Sequence, residues 1–461
     1  MRQLCRKICL SAVVFTVGLS STAAAQDAAS VAPSKNVRGL VPSSFFAGLT
    51  PHSHADITGP RGRDGIGVSP FARPTPSPID TLTSWSDSFV ADGFDANGNP
   101  QSIWNYTMIG NAPETNRPAT IRAPIIPVTV ELLDPDGNVV KLPNGNLLRD
   151  VVGPSIVDAT VHSPIFEPFS YTSGIGQFTD QLQRASFWNR FVHFGLDDDD
   201  HGWHTTLVPA VQRTRVMRLP SGSWLAALNA DGTCCSFVEV DADVFTNLLF
   251  PPTGPLTNAT VIGDAELSGD MTTRDLTTFL FHNVALFTGG DPNNGCCIAG
   301  FHSVDAEPGD RRNGNRERRY VLDFASWNDP GVYFFGFSDI AALSHELAEA
   351  VNNPFGDNAV PWWLSQDPLL GFAQCQPVLE TGDVIEVLNS GSPIFTIAHH
   401  GRTYHLQNEA MLPWFAEQSA SSAHLGAYSF PDETSLTALS PHPLGPGCVG
   451  GPPAVSPAAR R

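Results

Sequence analysis

Lysine is almost missing from this chain of 461 residues, occurring only at Lys7, Lys35 and Lys141. Lysine and arginine together number 26 against 46 aspartates and glutamates, giving a formal charge of -20. A surface of that sign repels phosphate backbones and anionic headgroups, which excludes nucleic acid and membrane surfaces as partners. No apolar run is long enough to cross a bilayer, so membrane insertion is excluded as well. There is no C-x-x-C spacing for a cysteine-held zinc, no G-x-S-x-G for a serine nucleophile, and no glycine-rich phosphate loop ahead of a helix. Charged residues are only 16%, while glycine and proline number 40 and 39. That mixture predicts loops and short strands rather than a helical bundle.

The first 25 residues read as an export signal. Arg2, Arg6 and Lys7 precede the apolar residues 10–19, and Ala23-Ala24-Ala25 offers a small-residue cleavage site. The expected location is secreted or periplasmic. Six cysteines then remain: Cys234, Cys235, Cys296, Cys297, Cys375 and Cys448. Export favours disulfides. The two adjacent pairs are expected to clamp neighbouring strands, and Cys375 with Cys448 to tie down the C-terminal tail. Residues 26–95 are rich in Pro, Ser, Gly and Ala and read as a leader or linker. A β-rich part follows over 96–250, a metal-site part over 251–445, and a low-complexity tail over 446–461.

Within these parts, residues 125–132 read as a strand, Asp136-Gly137-Asn138 as a turn and 139–142 as the returning strand. Residues 181–194 have helical spacing. Residues 203–211, 279–287 and 319–324 read as strands. Asp197 to Asp200 form an acidic run, read as a solvated loop, with a calcium site as the alternative.

The chain's main chemical signal is a helix predicted over residues 339–353. Ser338 is the expected N-cap, Asp339 suits the helix dipole, and Pro354 and Gly356 stop the helix. Ile340, Leu343, Leu347, Ala350 and Val351 form one apolar stripe. His345 and Glu349 lie four residues apart on the other side, where small neighbours (Ala341, Ala342 and Ala348) leave room for a cleft. Two donors one turn apart suit a first-row metal ion. Glu346 stands about 100° round the helix, placed to accept a proton from a metal-bound water. The bland alternative is an exposed His345–Glu349 pair.

A third ligand is available in Glu380-Thr381-Gly382-Asp383. Glu380 is the expected ligand and Asp383 the group that orients a ligand histidine; Asp383 or Glu386 are alternatives for the ligand itself. Residues 384–388 read as a strand after this turn. Tyr404 or His405, in the polar stretch with His399 and His400, is a candidate to hydrogen-bond a developing oxyanion. An edge strand with exposed histidines is the competing reading. His302, beside Cys296-Cys297, reads as structural.

The stretch Ser344-His345-Glu346-Leu347-Ala348-Glu349-Ala350-Val351-Asn352-Asn353-Pro354 resembles the H-E-L-A-E...N-P segment of plant Exordium-type (phosphate-induced) cell-wall proteins and of related exported microbial proteins. Glu380-Thr381-Gly382-Asp383 resembles their acidic motif, and Tyr404-His405-Leu406-Gln407 with Leu412-Pro413-Trp414-Phe415 their closing aromatic segment. His162-Ser163-Pro164-Ile165-Phe166, Gln183-Arg184-Ala185-Ser186-Phe187-Trp188 and Cys296-Cys297-Ile298-Ala299-Gly300-Phe301-His302 are similar to the microbial group. The resemblance covers about residues 100–430. It implies an α+β fold, a zincin-like metallopeptidase domain with a β-rich N-terminal part. One departure matters: zincin helices read H-E-x-x-H, and here Glu349 replaces the second histidine. One imidazole and two carboxylates weaken Lewis acidity, so zinc is expected with other divalent metals as alternatives. The expected function is an exported zincin-type peptidase, with His345, Glu349 and Glu380 on the metal, Glu346 as base and a peptide or protein as substrate. The rival is a non-catalytic binding protein for cell-wall material with a structural or vestigial metal site.

Overall fold

A computed structural model describes residues 39–41, 52–53, 82–94, 100–193, 202–252, 257–290, 292, 296–309, 311, 314–333, 336–367, 372–388, 393–420 and 426–439. The expected export signal, the acidic run at 197–200, the low-complexity tail and Cys448 lie outside the described residues, as does most of the expected leader. What is described of the leader departs from a linker. Residues Ser84–Phe94 (β1) form an antiparallel pair with Pro100–Ile109 (β2). The reason is apolar content at its end: Leu82, Trp85 and Phe89 are buried.

The fold is mixed α+β, built on one 11-stranded sheet. Its longest strand is Ala119–Leu132 (β3). Ile121, Ala123, Ile125, Ile126, Val128, Val130 and Leu132 are all buried along it, the near-continuous apolar pattern of a strand covered on both faces. Three strands run parallel to β3: Thr205–Val211 (β4), Arg215–Leu219 (β5) and, on its other edge, Leu276–His282 (β8). Trp224–Leu228 (β6) and Cys234–Asp241 (β7) pair antiparallel. Val284–Phe287 (β9), Cys296–Glu307 (β10) and Arg318–Trp327 (β11) link β7 to β8, so the path runs β6-β7-β9-β10-β11-β8-β3. The expected strand over 279–287 is thus two strands, because Asn283 adopts a left-handed φ of 49° between them. The sheet joins strands from both sides of residue 250.

Period-two alternation assigns the two faces. Phe279, Phe281, Phe301, Leu322 and Phe324 point to one face, under the helices Ala242–Leu249 (α3) and Val261–Ser268 (α4). Phe245 of α3 stands over this group, with ring centroids 4.9 Å from Phe324 and 5.3 Å from Phe281. Leu276, Leu280, Val321 and Ala325 point the other way, toward the helix Ala341–Asn352 (α5). His302 and Asp323, directly paired across β10 and β11, also face α5.

Two expectations about cysteines and helices change. Cys234–Cys235 and Cys296–Cys297 are each bonded within the adjacent pair, so neither clamps a neighbouring strand. Residues 384–388 belong to a short helix, Asp383–Leu388 (α6), not a strand. The carbonyl of Gly382 accepts from the Ile385 and Glu386 amides, which starts a helical turn despite the β-branched residues. Likewise the expected helix over 181–194 is Phe178–Ser186 (α2) and Trp188–His193. Among the described residues, no helix is long and apolar enough to cross a membrane.

Candidate metal centre

Every residue of α5 is buried, not only its apolar stripe. The helix lies between the sheet, α2 and the hairpin of Ile394–His399 (β14) and Arg402–Gln407 (β15). Its start differs from expectation. Ser338 directs its hydroxyl to the Gly336 carbonyl (3.2 Å), and the cap position falls on Ile340. Asp339, at φ 44°, instead accepts the Ile340 amide at 2.6 Å and the His405 amide at 2.9 Å.

The helix presents His345, Glu346 and Glu349 to a pocket of polar side chains, all at most 1% exposed. Glu349 is the hub. Its Oε2 lies 3.2 Å from His345 Nε2 and 3.3 Å from His302 Nδ1, and its Oε1 accepts the Gly382 amide at 3.0 Å. Glu380, in the loop before α6, places Oε2 at 3.8 Å from His302 Nε2, while Oε1 faces Asn353 Nδ2 at 3.4 Å. Glu346 Oε2 stands 3.9 Å from His302 Nδ1. Asp383 Oδ1 lies 3.5 Å from His345 Nε2, and Glu386 Oε1 4.0 Å from His345 Nδ1.

Two glycines make this approach possible. A Cβ on Gly382 would fall 2.3 Å from His345 Nδ1, and one on Gly300 would fall 2.5 Å from Glu346 Oε1. The hairpin closes the far side: the Gln407 amide donates to Ser344 Oγ at 2.9 Å, and its side-chain amide to the Gly382 carbonyl at 3.3 Å. Thr381 Oγ1 donates to the buried Glu409 at 2.8 Å.

The electrostatics are those of a buried acidic excess. Burial alone would lower the pKa of His302 and His345. The carboxylates of Glu380, Glu349 and Glu346 override this and hold both well above the ordinary imidazole value. Burial pushes Glu349 up, but the two imidazoles draw it below the usual carboxylate range. Burial raises Glu346, and raises Glu380 further with the help of the Glu349 charge. Asp323 and Glu409 are likewise pushed well up, first by burial. Carboxylates so placed need protons or a cation.

A cation fits the donors. His302, Glu349 and Glu380 offer atoms within 4.8 Å of one another, and so do His345, Glu346 and Glu349. His302 Nδ1, Glu380 Oε2 and both carboxylate oxygens of Glu346 are buried with no hydrogen-bond partner among the described residues. Imidazole nitrogens and carboxylate oxygens together suit zinc or another first-row divalent ion.

Of the residues singled out in the sequence, His345, Glu346, Glu349, Glu380 and Asp383 come together here. Tyr404 and His405 do not join them as oxyanion donors. Tyr404 donates to the Ala159 carbonyl at 2.9 Å, and His405 Nδ1 lies 2.6 Å from Asp339. Both fasten the hairpin. The residue missed is His302, read as structural beside its cysteine pair and found at the centre. One signal for it was local: Gly300 and His302 share a strand face, and a glycine two before a histidine clears space for a facing side chain.

Comparison of the chain with protein-family models, with curated proteins and with solved structures finds no match. The functional reading therefore rests on the side chains alone.

Proposed function

We propose that this chain is an exported, zincin-like metal-dependent hydrolase acting on peptide bonds. His302, His345, Glu349 and Glu380 would hold the ion. His302 supplies from a strand the imidazole that position 349 lacks, so the donor set is two histidines and two glutamates. When bound, a divalent ion such as zinc polarises a carbonyl and makes water more acidic. Glu346 accepts the proton of the attacking water and passes it to the departing amine, so that water and peptide give an acid and an amine. The Gly382 amide fixes the orientation of Glu349, Asp383 shares His345 Nε2 with Glu349, and Glu386 stands 4.0 Å from the other ring nitrogen, Nδ1.

The observation that carries this reading is Glu346. A buried carboxylate that accepts no hydrogen bond among the described residues and lies 3.9 Å from the imidazole of His302, beside the His302, Glu349 and Glu380 donors, is a costly feature that a purely structural ion site does not require.

Burial favours a second reading. His302, His345, Glu346, Glu349 and Glu380 are all at most 4% exposed, as in closed, structural ion sites. The chain would then be a secreted or cell-wall-associated binding protein. Metal analysis of purified protein, followed by peptide-library digestion with and without chelator, separates the two. Stoichiometric metal with chelator-sensitive cleavage supports the hydrolase, and metal without cleavage supports the binding protein. Glu346→Gln should abolish cleavage while metal content holds; equal cleavage in that variant rules the mechanism out.

A further inference from the structure

A second histidine cluster sits away from the buried centre, at the tip of the β14–β15 hairpin. The turn there is His400-Gly401, with φ values of 48° and 75°. Two left-handed residues make the tight two-residue turn that favours asparagine and glycine. Histidine is an uncommon choice, and it sets the His400 ring beside that of His399. The rings of His399 and His400 are 4.0 Å apart between centroids. Both aim Nε2 at one oxygen of Glu167: Oε2 lies 3.3 Å from His399 Nε2 and 2.7 Å from His400 Nε2. The other oxygen, Oε1, lies 2.6 Å from His162 Nδ1.

We propose that Glu167, His399 and His400 form a second binding site, for a zinc-type divalent cation, with His162 orienting the carboxylate. Three features support it. The three donor atoms lie within 4.8 Å of one another. Donors sharing one zinc at ~2.0–2.1 Å are about 3.3 Å apart; His399 Nε2 stands at 3.3 Å from Glu167 Oε2, and His400 Nε2, at 2.7 Å, would draw back slightly on binding. His399 is pre-positioned, being 10% exposed in its side chain and packed edge-on to Phe169. Finally, the carboxylate is held from behind, as ligating carboxylates are. Arg402, on the same hairpin, pairs with Asp158 at 3.0 Å.

The ion would clip the hairpin to the segment after the helix Pro154–Val161 (α1). The same hairpin ends at Gln407, against Ser344 of α5. This site stands or falls apart from the buried centre.

The test is titration of the chelator-stripped full-length chain with Zn2+, and with Co2+ as a spectroscopic probe. Wild type should take up one more equivalent than the double variant His399→Ala/His400→Ala, whatever the buried centre holds. His162→Ala should keep the step but weaken it about tenfold. Melting of the stripped proteins checks that each variant is folded. Glu167→Gln, which alters no backbone, serves as the second variant should the double one unfold. Equal uptake by wild type and a folded variant lacking these donors overturns the proposal.

Discussion

Gly382→Ala adds one methyl group at the point where the loop before α6 meets α5. Gly382 is not among the glycines with positive φ, so the backbone accepts alanine. The obstacle is the His345 ring. The new Cβ would lie 2.3 Å from Nδ1, 2.5 Å from Cε1 and 2.9 Å from Cγ. Ordinary contact is about 3.5 Å, so the ring or the loop must move by roughly 1 Å. The ring has little room: His345 is fully buried, and its Nε2 already stands 3.2 Å from Glu349. Overpacking of this kind costs about 1–3 kcal/mol. Coordination tolerates only ~0.2 Å of displacement, so metal affinity should fall by about 10–100-fold. The assay is thermal unfolding with and without chelator, alongside metal analysis. Wild type should lose stability when stripped. The variant should start near the stripped level and respond little. A Gly382→Ala protein that melts with the wild type and binds metal equally would refute the claim that this contact positions His345.

Three further outcomes are expected. Gly300→Ala loads Glu346 rather than a metal donor, with its Cβ 2.5 Å from Oε1 and 2.7 Å from Cγ, so cleavage should drop while metal content, read by elemental analysis, holds. His302→Gln removes one of two imidazoles among Glu346, Glu349 and Glu380, and leaving buried carboxylates without that partner should cost about 3–5 kcal/mol by denaturant unfolding. His405 is held above the ordinary imidazole pKa, chiefly by its hydrogen bond to Asp339. Its contribution is therefore fully present below about pH 6.5 and is lost as pH rises through the raised value. The stability gap between wild type and His405→Gln should shrink with rising pH; a gap independent of pH contradicts the pairing.

Much of the centre could be read from the sequence because a helix converts spacing into geometry. His345, Glu346 and Glu349 needed only the 3.6-residue period to be placed together, and Glu380 only its position in an acidic turn. His302 resisted because nothing in a strand announces which long-range face it meets. Its partners on α5 and at Glu380 lie far along the chain, and only the sheet register brings them near. The strand read over 384–388 failed for a local reason: Val384, Ile385 and Val387 favour a strand, yet the Gly382 carbonyl captures two amides and turns the chain. Likewise, apolar, β-branched and aromatic runs located β3, β8 and β11, but could not say that the adjacent cysteines bond within each pair.

One long strand sets a limit on dissection. β3 lends both edges to partners, accepting β4 and β5 on one and β8 on the other. A fragment beginning near residue 250 would carry the four proposed donors and Glu346 but leave β8 with a bare flank, an invitation to aggregate. Cutting the gene between its halves should therefore yield inclusion bodies rather than a smaller working protein, and co-expression of the halves is the way to recover it.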